Sequence, residues 1–317
     1  MITSFRISDA LRCLLVNAPG GANLAAPTES VVRCRPLRNS TFWRETLARS
    51  TNRVTVGDWN GMELAGLASA RVRSGVRAWE VDRLHLQDPE QALELLEQVV
   101  ACAGHRGAER VFLRVTEDSP VLDLARQAGF FPYYEEIHLT GLEWTRHEWT
   151  DVPAETPKAE PNLSSHMEKP LEMFNCEDRT APDSHGLFQL YCAATPHRVR
   201  DGTGVTFEQW RDSREQPQPH RRETVLKHNG KVVGWRMREL FGSAAAGQML
   251  AHPDHPGVMP NLVQMSCDTP NWLMPSYQEN AAELLRRRDL REAGRYIMLI
   301  KTVAVPVRNR GLSYVEA

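Results

Sequence analysis

The chain has 317 residues, of which 41% are hydrophobic and 25% are charged, and its formal net charge is −2. This length allows two domains of ordinary size, and the composition is typical of a globular protein. The nearly balanced charge gives no electrostatic reason to expect nucleic acid or an anionic membrane as a partner. No apolar run approaches the roughly 20 residues of a membrane span.

The cysteines and the N-terminal residues favour a cytoplasmic protein. The six cysteines form no Cys-x-x-Cys pair, which is typical of free thiols in a reducing compartment. The first 20 residues lack the basic start and the long apolar run of a signal peptide. The sequence predicts nothing about the oligomeric state.

The first elements of the chain are a short strand and helices. The stretch SFRISDALRCLLVN predicts a helix with Asp9 near its N-terminal cap. The next stretch, GGANLAAP at residues 20–27, lacks the preceding long strand and the lysine of a phosphate-binding loop. We interpret residues 20–27 as a flexible turn.

A hairpin follows, and then strands and helices alternate. The dipeptide Asn60-Gly61 stands between two alternating apolar stretches and favours a tight hairpin turn. The later stretches predict a third strand, a central amphipathic helix, a strand, a short helix and a last strand. They read RAWEVDRLHL, PEQALELLEQVVACAGHRG, ERVFLRVT, SPVLDLARQAGF and YYEEIHLTGL.

The same order of elements returns in the second half of the chain. A second Asn-Gly turn, Asn229-Gly230, matches the first at an offset of 169 residues. Residues 111–139 align without a gap on residues 271–299, at an offset of 160, mainly through their apolar pattern. Two mixed sheets with helices on both sides follow from this order.

A stretch rich in Pro, Glu, Ser and Thr separates the two copies. Such a composition buries little apolar surface, so it predicts a linker. We therefore place an N-terminal domain at residues 1–143, the linker at 144–171 and a C-terminal domain at 172–317. Each domain should use the other to cover an exposed sheet face or edge.

The last helix and strand of each copy resemble those of the GNAT superfamily of acyl-coenzyme A N-acyltransferases. In that family the helix commonly reads N-x-x-A-x-x-L-Y-x-x-x-G-F. The matching positions are Asp118, Val121, Leu124, Ala125, Gly129 and Phe130 in the first copy, and Gln278, Ala281, Leu284, Leu285, Asp289 and Leu290 in the second. At the first of the two helix ends, glycine allows the left-handed conformation that returns the chain to the sheet.

The resemblance implies two tandem GNAT-like α/β domains and an acetyl-CoA-dependent N-acetyltransferase. The acceptor would be a primary amine of a small molecule or a peptide, and no metal is implied. The first copy is the better preserved, because it keeps the longer central helix and Gly129-Phe130. Contacts to coenzyme A would come from Leu84, Leu86, Gln87, Glu90, Gln91 and Asp118.

The resemblance also implies catalytic residues. Glu80 lies on the third strand, where some family members carry a glutamate base, and Asp82 shares its face. The tyrosine that the family uses as an acid is replaced by Ala125 and Leu285. Tyr134 is therefore the expected substitute, with Tyr133 and Tyr277 as alternatives. A solvent-facing carboxylate and ordinary aromatic packing would also explain these residues.

The coenzyme A loop departs from the family pattern in both copies. The loop LQDPEQAL contains no glycine or arginine, and it places Asp88 and Glu90 where a pyrophosphate would lie, although acids there also suit helix capping. The loop AHPDHPGVMPNL keeps one glycine, Gly257. The alternative function is therefore a non-catalytic module that binds acyl-coenzyme A or a protein partner. Strands that part beside this loop would favour coenzyme A binding, whereas continuous pairing and a filled cleft would favour the module.

Two other chemistries have little support in the sequence. His252, Asp254 and His255, with Cys267 in reach, lack the spacing of a metal site, so we expect no metal. The sequence contains no G-x-S-x-G nucleophile elbow of a hydrolase. An α/β protein of a different fold remains a third possibility at this point.

Overall fold

The computed structural model describes residues 2–4, 22–33, 52–61, 63–141 and 174–304. These residues form twelve strands and eight α-helices. The strands are β1 (Ile2–Ser4), β2 (Arg53–Asn60), β3 (Glu63–Val72), β4 (Ala78–Leu86), β5 (Arg110–Thr116), β6 (Phe131–Gly141), β7 (Asn175–Asp178), β8 (Arg222–His228), β9 (Lys231–Phe241), β10 (Ala244–Ala251), β11 (Asn271–Pro275) and β12 (Leu290–Thr302). The helices are α1 (Thr28–Arg33), α2 (Ala92–His105), α3 (Leu122–Gln127), α4 (Asp183–Ala194), α5 (His197–Thr203), α6 (Phe207–Ser213), α7 (Val258–Gln264) and α8 (Glu279–Arg286).

The two halves repeat one order of elements, as the sequence predicts. In each half a short strand and helical segments precede a hairpin, and then strands and helices alternate to a long last strand. Both predicted turns are present: Gly61 has a φ of +63°, and Asn229 and Gly230 have φ of +50° and +75°. The predicted mixed α/β fold class is confirmed. The predicted linker and the cap at Asp9 lie outside the described residues, so the domain boundaries stay a prediction.

The two halves form one continuous sheet because they exchange their last strands. The strand order is β1-β2-β3-β4-β5-β12-β6-β11-β10-β9-β8-β7. The last strand of the second half, β12, therefore lies beside β5, and the last strand of the first half, β6, lies beside β11. Neither half completes its own sheet without a strand from the other.

The exchanged strands pair antiparallel at a point of approximate twofold symmetry. In the β6–β12 ladder, Glu136 lies opposite Tyr296, which is its equivalent at the offset of 160 residues. On either side, Ile137 lies opposite Arg295 and Glu135 lies opposite Ile297. The repeat in the sequence thus becomes a repeat about an axis through the middle of the sheet.

Apolar helix faces cover the sheet in both halves. The amphipathic helix α2 buries Leu95, Leu96 and Val99 completely against the strands of the first half. In the second half, α7 and α8 bury Leu262 and Leu285 in a cluster that includes residues of β6, β9, β10 and β11. Burial of an aliphatic side chain of this size contributes about 2 kcal/mol.

Segments of each half also pack on the other half. Helix α1 contacts β9 and β10, and α6 contacts β4. The end of α6 and the residue after it are held by main-chain hydrogen bonds, since Gly75 N donates to Asp212 O at 3.2 Å and Ser74 N donates to Arg214 O at 2.9 Å. The two halves are therefore joined by helices as well as by the exchanged strands.

The last helix of each half ends on a left-handed residue, which gives a paired prediction. Gly129 has a φ of +83°, and its equivalent Asp289 has a φ of +64°. A side chain in this conformation costs about 1 kcal/mol, so Gly129→Ala should lower the free energy of unfolding by about 1 kcal/mol. Asp289→Gly should leave it unchanged or raise it by up to about 1 kcal/mol. Urea denaturation checks both, and equal destabilisation by the two variants would contradict this explanation.

Candidate active site in the second half

Strands β4 and β5 of the first half part, as a coenzyme A site would require. They pair in parallel over residues 78–81 and 110–113 only, while β4 continues to Leu86. Parallel strands that diverge leave main-chain donors and acceptors free to bond whatever enters the gap. The occupant of the gap therefore decides what this half does.

The chain itself fills the gap between β4 and β5. The side chain of Asn23 donates to Asp82 O and accepts from Leu84 N, both at 2.8 Å. The next residues bridge the two strands, because Leu24 N donates to Leu84 O and Ala26 N donates to Arg114 O, again at 2.8 Å. We name residues 23–27 the plug.

The plug corrects the interpretation of this stretch as a flexible turn. Ala25 is fully buried in the core of the first half, and Ala26 is 8% exposed. The apolar residues between Asn23 and Pro27 are the signal that the sequence reading missed, since a flexible turn rarely carries three of them. The filled gap favours a non-catalytic role for the first half.

The bonds of Asn23 predict the effect of removing its side chain. Its Oδ1 accepts from Leu84 N and Ala25 N, and its Nδ2 donates to Asp82 O. Asn23→Ala should therefore lower the free energy of unfolding by about 2–3 kcal/mol, because partly buried backbone groups lose their partners. Urea denaturation measures this loss, and a change below about 0.5 kcal/mol would show that the plug does not hold the strands.

Glu80 and Asp82, the predicted catalytic carboxylates, lie in a buried cluster of arginines. Glu80 is 5% exposed and accepts from Arg71 Nε at 2.6 Å and from Arg73 Nε at 3.2 Å. Asp82 accepts two bonds of 2.8 Å from Arg53. Burial raises the pKa of Asp82, but the surrounding guanidinium groups outweigh it and lower the pKa overall. Asp82 is therefore a weak base, and the ion pairs of Asp82 and Glu80 hold β2, β3 and β4 together.

The residues predicted to bind coenzyme A surround the plugged gap. Their exposed members are Gln87, Glu90 and Asp118. Gln87 Nε2 donates to Glu63 Oε1 at 2.7 Å, and Glu90 N donates to the Asp88 carboxylate at 3.0 Å. Asp88 is thus the cap of the short 3-10 turn Pro89–Gln91 that precedes α2. The main chain of Leu84 is bonded to the plug, and Leu86 is half-buried against the core.

The equivalent strands of the second half part beside an open groove. Strands β10 and β11 pair only at residues 246–247 and 271–272, although β10 continues to Ala251. A groove of about 620 Å³ lies at the ends of these strands, between α7 and the N-terminal end of α8. Its lining includes Ala251, Pro256, Met259, Tyr277, Gln278 and Asn280. The first half is better preserved in sequence, but the open cleft is in the second half.

An apolar pocket of about 160 Å³ adjoins the groove. Residues of α4, α5 and α6 line it on one side, and residues at the parted ends of β10 and β11 line it on the other. Tyr277 and Gln278 line both spaces and therefore lie between the groove and the pocket. Gln278 Oε1 is buried and has no hydrogen-bond partner among the described residues. An unsatisfied acceptor at this point suits a ligand that donates an N–H.

The titratable side chains of the pocket include Tyr134, Tyr277 and Glu136, beside Tyr191 and Arg214. The ring centroids of Tyr134 and Tyr277 are 6.0 Å apart. Tyr134 OH donates to Glu136 Oε1 at 2.9 Å, while Glu136 Oε2 lies 2.9 Å from Arg114 Nη2. Burial raises the pKa of both tyrosines, so their hydroxyl groups keep their protons at neutral pH. The structure thus brings Tyr134, but neither Glu80 nor Asp82, to the pocket beside the open groove.

Glu136 and Gln278 are the cleft residues that sequence reasoning did not select. Glu136 lies in the second half only because β6 pairs with β11, and no local sequence pattern predicts this strand exchange. Gln278 had a signal, since it occupies the position where the family motif carries asparagine.

Solved structures with the GNAT fold are similar to this chain along most of its length. An acetyltransferase from Pyrococcus horikoshii is 12% identical with a TM-score of 0.48, covering 96% of this chain and 90% of its own. A GCN5-related N-acetyltransferase from Sphaerobacter thermophilus is 14% identical with a TM-score of 0.49, covering 95% of each chain. A tandem GNAT protein from the clavulanic acid biosynthesis pathway is 12% identical with a TM-score of 0.46, covering 95% of this chain and 98% of its own. No protein-family model and no curated protein matches the sequence.

Two features are not found in the part of the chain that the structure describes. None of its helices combines the length and the apolar composition that crossing a membrane requires. No three His, Cys, Asp or Glu side chains in that part come together as a metal site.

Proposed function

We propose that the second half binds an acyl-coenzyme A in its open groove and transfers the acyl group to a primary amine. The observation that carries this proposal is the contrast between the halves: the gap beside β4 holds the plug, whereas the gap beside β10 opens on the groove. The thioester would lie at Tyr277 and Gln278, where groove and pocket meet. The first half then supports the site by contributing β6.

The residues at this junction can supply the proton transfers of acyl transfer. The acceptor ammonium first loses a proton to Glu136, either directly or through Tyr134. The amine nitrogen then attacks the thioester carbonyl, so that a C–N bond forms and the C–S bond breaks. Tyr277 donates a proton to the departing thiolate and regains one from the attacking nitrogen. In this scheme Tyr134 keeps its predicted place in the site, while catalysis by Glu80 and Asp82 stays a prediction.

The test is calorimetric titration with coenzyme A and acetyl-CoA, followed by release of free thiol in the presence of primary amines. We expect binding at micromolar concentration and turnover that falls about 100-fold in Tyr277→Phe with coenzyme A affinity retained. Tyr191→Phe is the matched control, because its hydroxyl lines the same pocket but is bonded to Thr203. Absence of binding at millimolar coenzyme A would rule out the proposal.

One observation favours a second function, a module that binds acyl-coenzyme A without turning it over. Glu136 already accepts from Tyr134 and is paired with Arg114, so neither carboxylate oxygen is left without a polar neighbour. Tight binding of acetyl-CoA with no thiol release across a panel of amines would select this function.

A further inference from the structure

Several polar groups of the pocket are bonded to one another and leave its apolar walls to face a ligand, whereas Gln278, with its unpartnered Oε1, also lines the groove. The hydroxyl groups of Tyr191 and Thr203 are hydrogen-bonded to each other. The carboxylate of Glu136 is shared between Tyr134 and Arg114. Apart from the proton transfers at Glu136 and Tyr134, these groups therefore offer little to a polar ligand.

Arg214, the cation that lines the pocket, is paired with a carboxylate and covered by aromatic rings. Its Nη2 lies 3.0 Å from Glu223 Oε2. Its guanidinium group lies over the rings of Trp210 and Trp235, at 5.5 and 5.4 Å from their centroids. The indole of Trp235 also donates to Glu223, so the three side chains and the carboxylate form one closed wall. The charge of Arg214 is therefore not directed at a ligand.

The size of the pocket limits what it holds. Its volume of about 160 Å³ is close to that of apolar cavities of about 150 Å³ that bind benzene. We propose that the pocket takes an apolar group of about six carbons, carried by either the acyl chain or the acceptor amine. This inference rests on the proposed function, because the pocket adjoins the groove at Tyr277 and Gln278.

Titration with acyl-CoAs of increasing length tests the first source of the apolar group. Each methylene that leaves water strengthens binding about fourfold, so four additional methylenes give a wide margin. We expect hexanoyl-CoA to bind at least about tenfold more tightly than acetyl-CoA, with free coenzyme A as the reference. Free coenzyme A distinguishes failure of the proposed function from failure of this inference. If free coenzyme A does not bind, the proposed function is wrong, and this inference, which rests on it, is wrong as well.

A variant that fills the pocket makes the test specific. Val199 on α5 lines the pocket and is 5% exposed, so Val199→Phe should remove the preference for hexanoyl-CoA. Val76→Phe is the control, because Val76 is 63% exposed and does not line the pocket. Unchanged affinity of Val199→Phe for free coenzyme A shows that this variant is folded. If Val199→Phe does not fold, Leu187→Phe, on another wall of the pocket, is used in its place.

Acceptor amines test the second source. With saturating acetyl-CoA, hexylamine and phenethylamine should be acylated with a kcat/KM at least about tenfold above that of ethanolamine, and Val199→Phe should remove the difference. A preference in either the acyl-CoA or the amine series supports the inference and identifies the carrier of the apolar group. Binding of coenzyme A with no preference in either series would overturn it.

Discussion

Replacing Arg114 by methionine is expected to lower the free energy of unfolding by about 3–5 kcal/mol, the usual cost of removing one partner from a buried ion pair. Arg114 is 5% exposed and lies within 3.0 Å of the carboxylates of Glu136 and Glu215. Its Nη1 also donates to Thr28 Oγ1 and to Ala26 O. The variant would bury two carboxylates without their main cation and would loosen the plug.

Urea denaturation measures this effect, and the chain offers a matched control. Arg126 pairs with Asp123 at 3.0 Å, but the two side chains are 49% and 82% exposed. Exposed pairs contribute little, so Arg126→Met should change the free energy of unfolding by less than about 0.5 kcal/mol. Similar values for the two variants would contradict a structural role for the buried cluster.

The pH dependence of the stability of Arg114→Met is a second test of the buried ion pairs around Arg114. Burial raises the pKa of Glu215, but Arg114, Arg73 and a bond from Thr28 outweigh it and lower the pKa to about 2. Because the folded-state pKa lies below the ordinary value of 4.5, its stabilisation is complete above pH 4.5 and is lost as the pH falls from 4.5 to about 2. In Arg114→Met this loss on acidification should be smaller.

Placing a tryptophan in the groove is expected to weaken coenzyme A binding at least about tenfold. Asn280 is exposed at the N-terminal end of α8 and lines the groove, so Asn280→Trp would occupy part of the space for the ligand. In the free protein the tryptophan side chain would be exposed to solvent, so the free energy of unfolding should change little. Calorimetric titration with coenzyme A measures the loss of affinity.

The repeat supplies the matched control for this substitution. Pro120 stands 160 residues before Asn280, at the equivalent place in the first half, and it is also exposed. Since the plug fills the adjoining gap, Pro120→Trp should leave the affinity for coenzyme A within about twofold. The opposite result, with Pro120→Trp as the disruptive variant, would place the ligand in the first half.

The fold of each half could be predicted because its signals are local. Asn229-Gly230 determines a hairpin and Gly129 determines a helix end within a few residues of chain. The exchange of β6 and β12 has no such signal. Ile137 and Ile297 would face an apolar layer whether their strand paired within its own half or with the other, so the same alternation fits both arrangements.

The site was predicted less well, because its chemistry depends on distant parts of the chain. Asn23 bonds to Leu84, 61 residues away, and no pattern in either segment announces that contact. The motif resemblance places Glu80 on the expected strand, but its carboxylate forms ion pairs with Arg71 and Arg73. Sequence preservation and an open cleft are separate properties, and in this chain they occur in different halves.

Hydrogen exchange with and without saturating coenzyme A tests most directly whether the second half holds the ligand. An open groove beside β10 predicts that the amides of residues 248–265 and the first turn of α8 exchange more slowly with coenzyme A bound. The same ligand should leave residues 82–93 of the first half unchanged, since the plug already bonds Leu84. Slower exchange confined to residues 82–93, or no change in either half, would contradict this assignment.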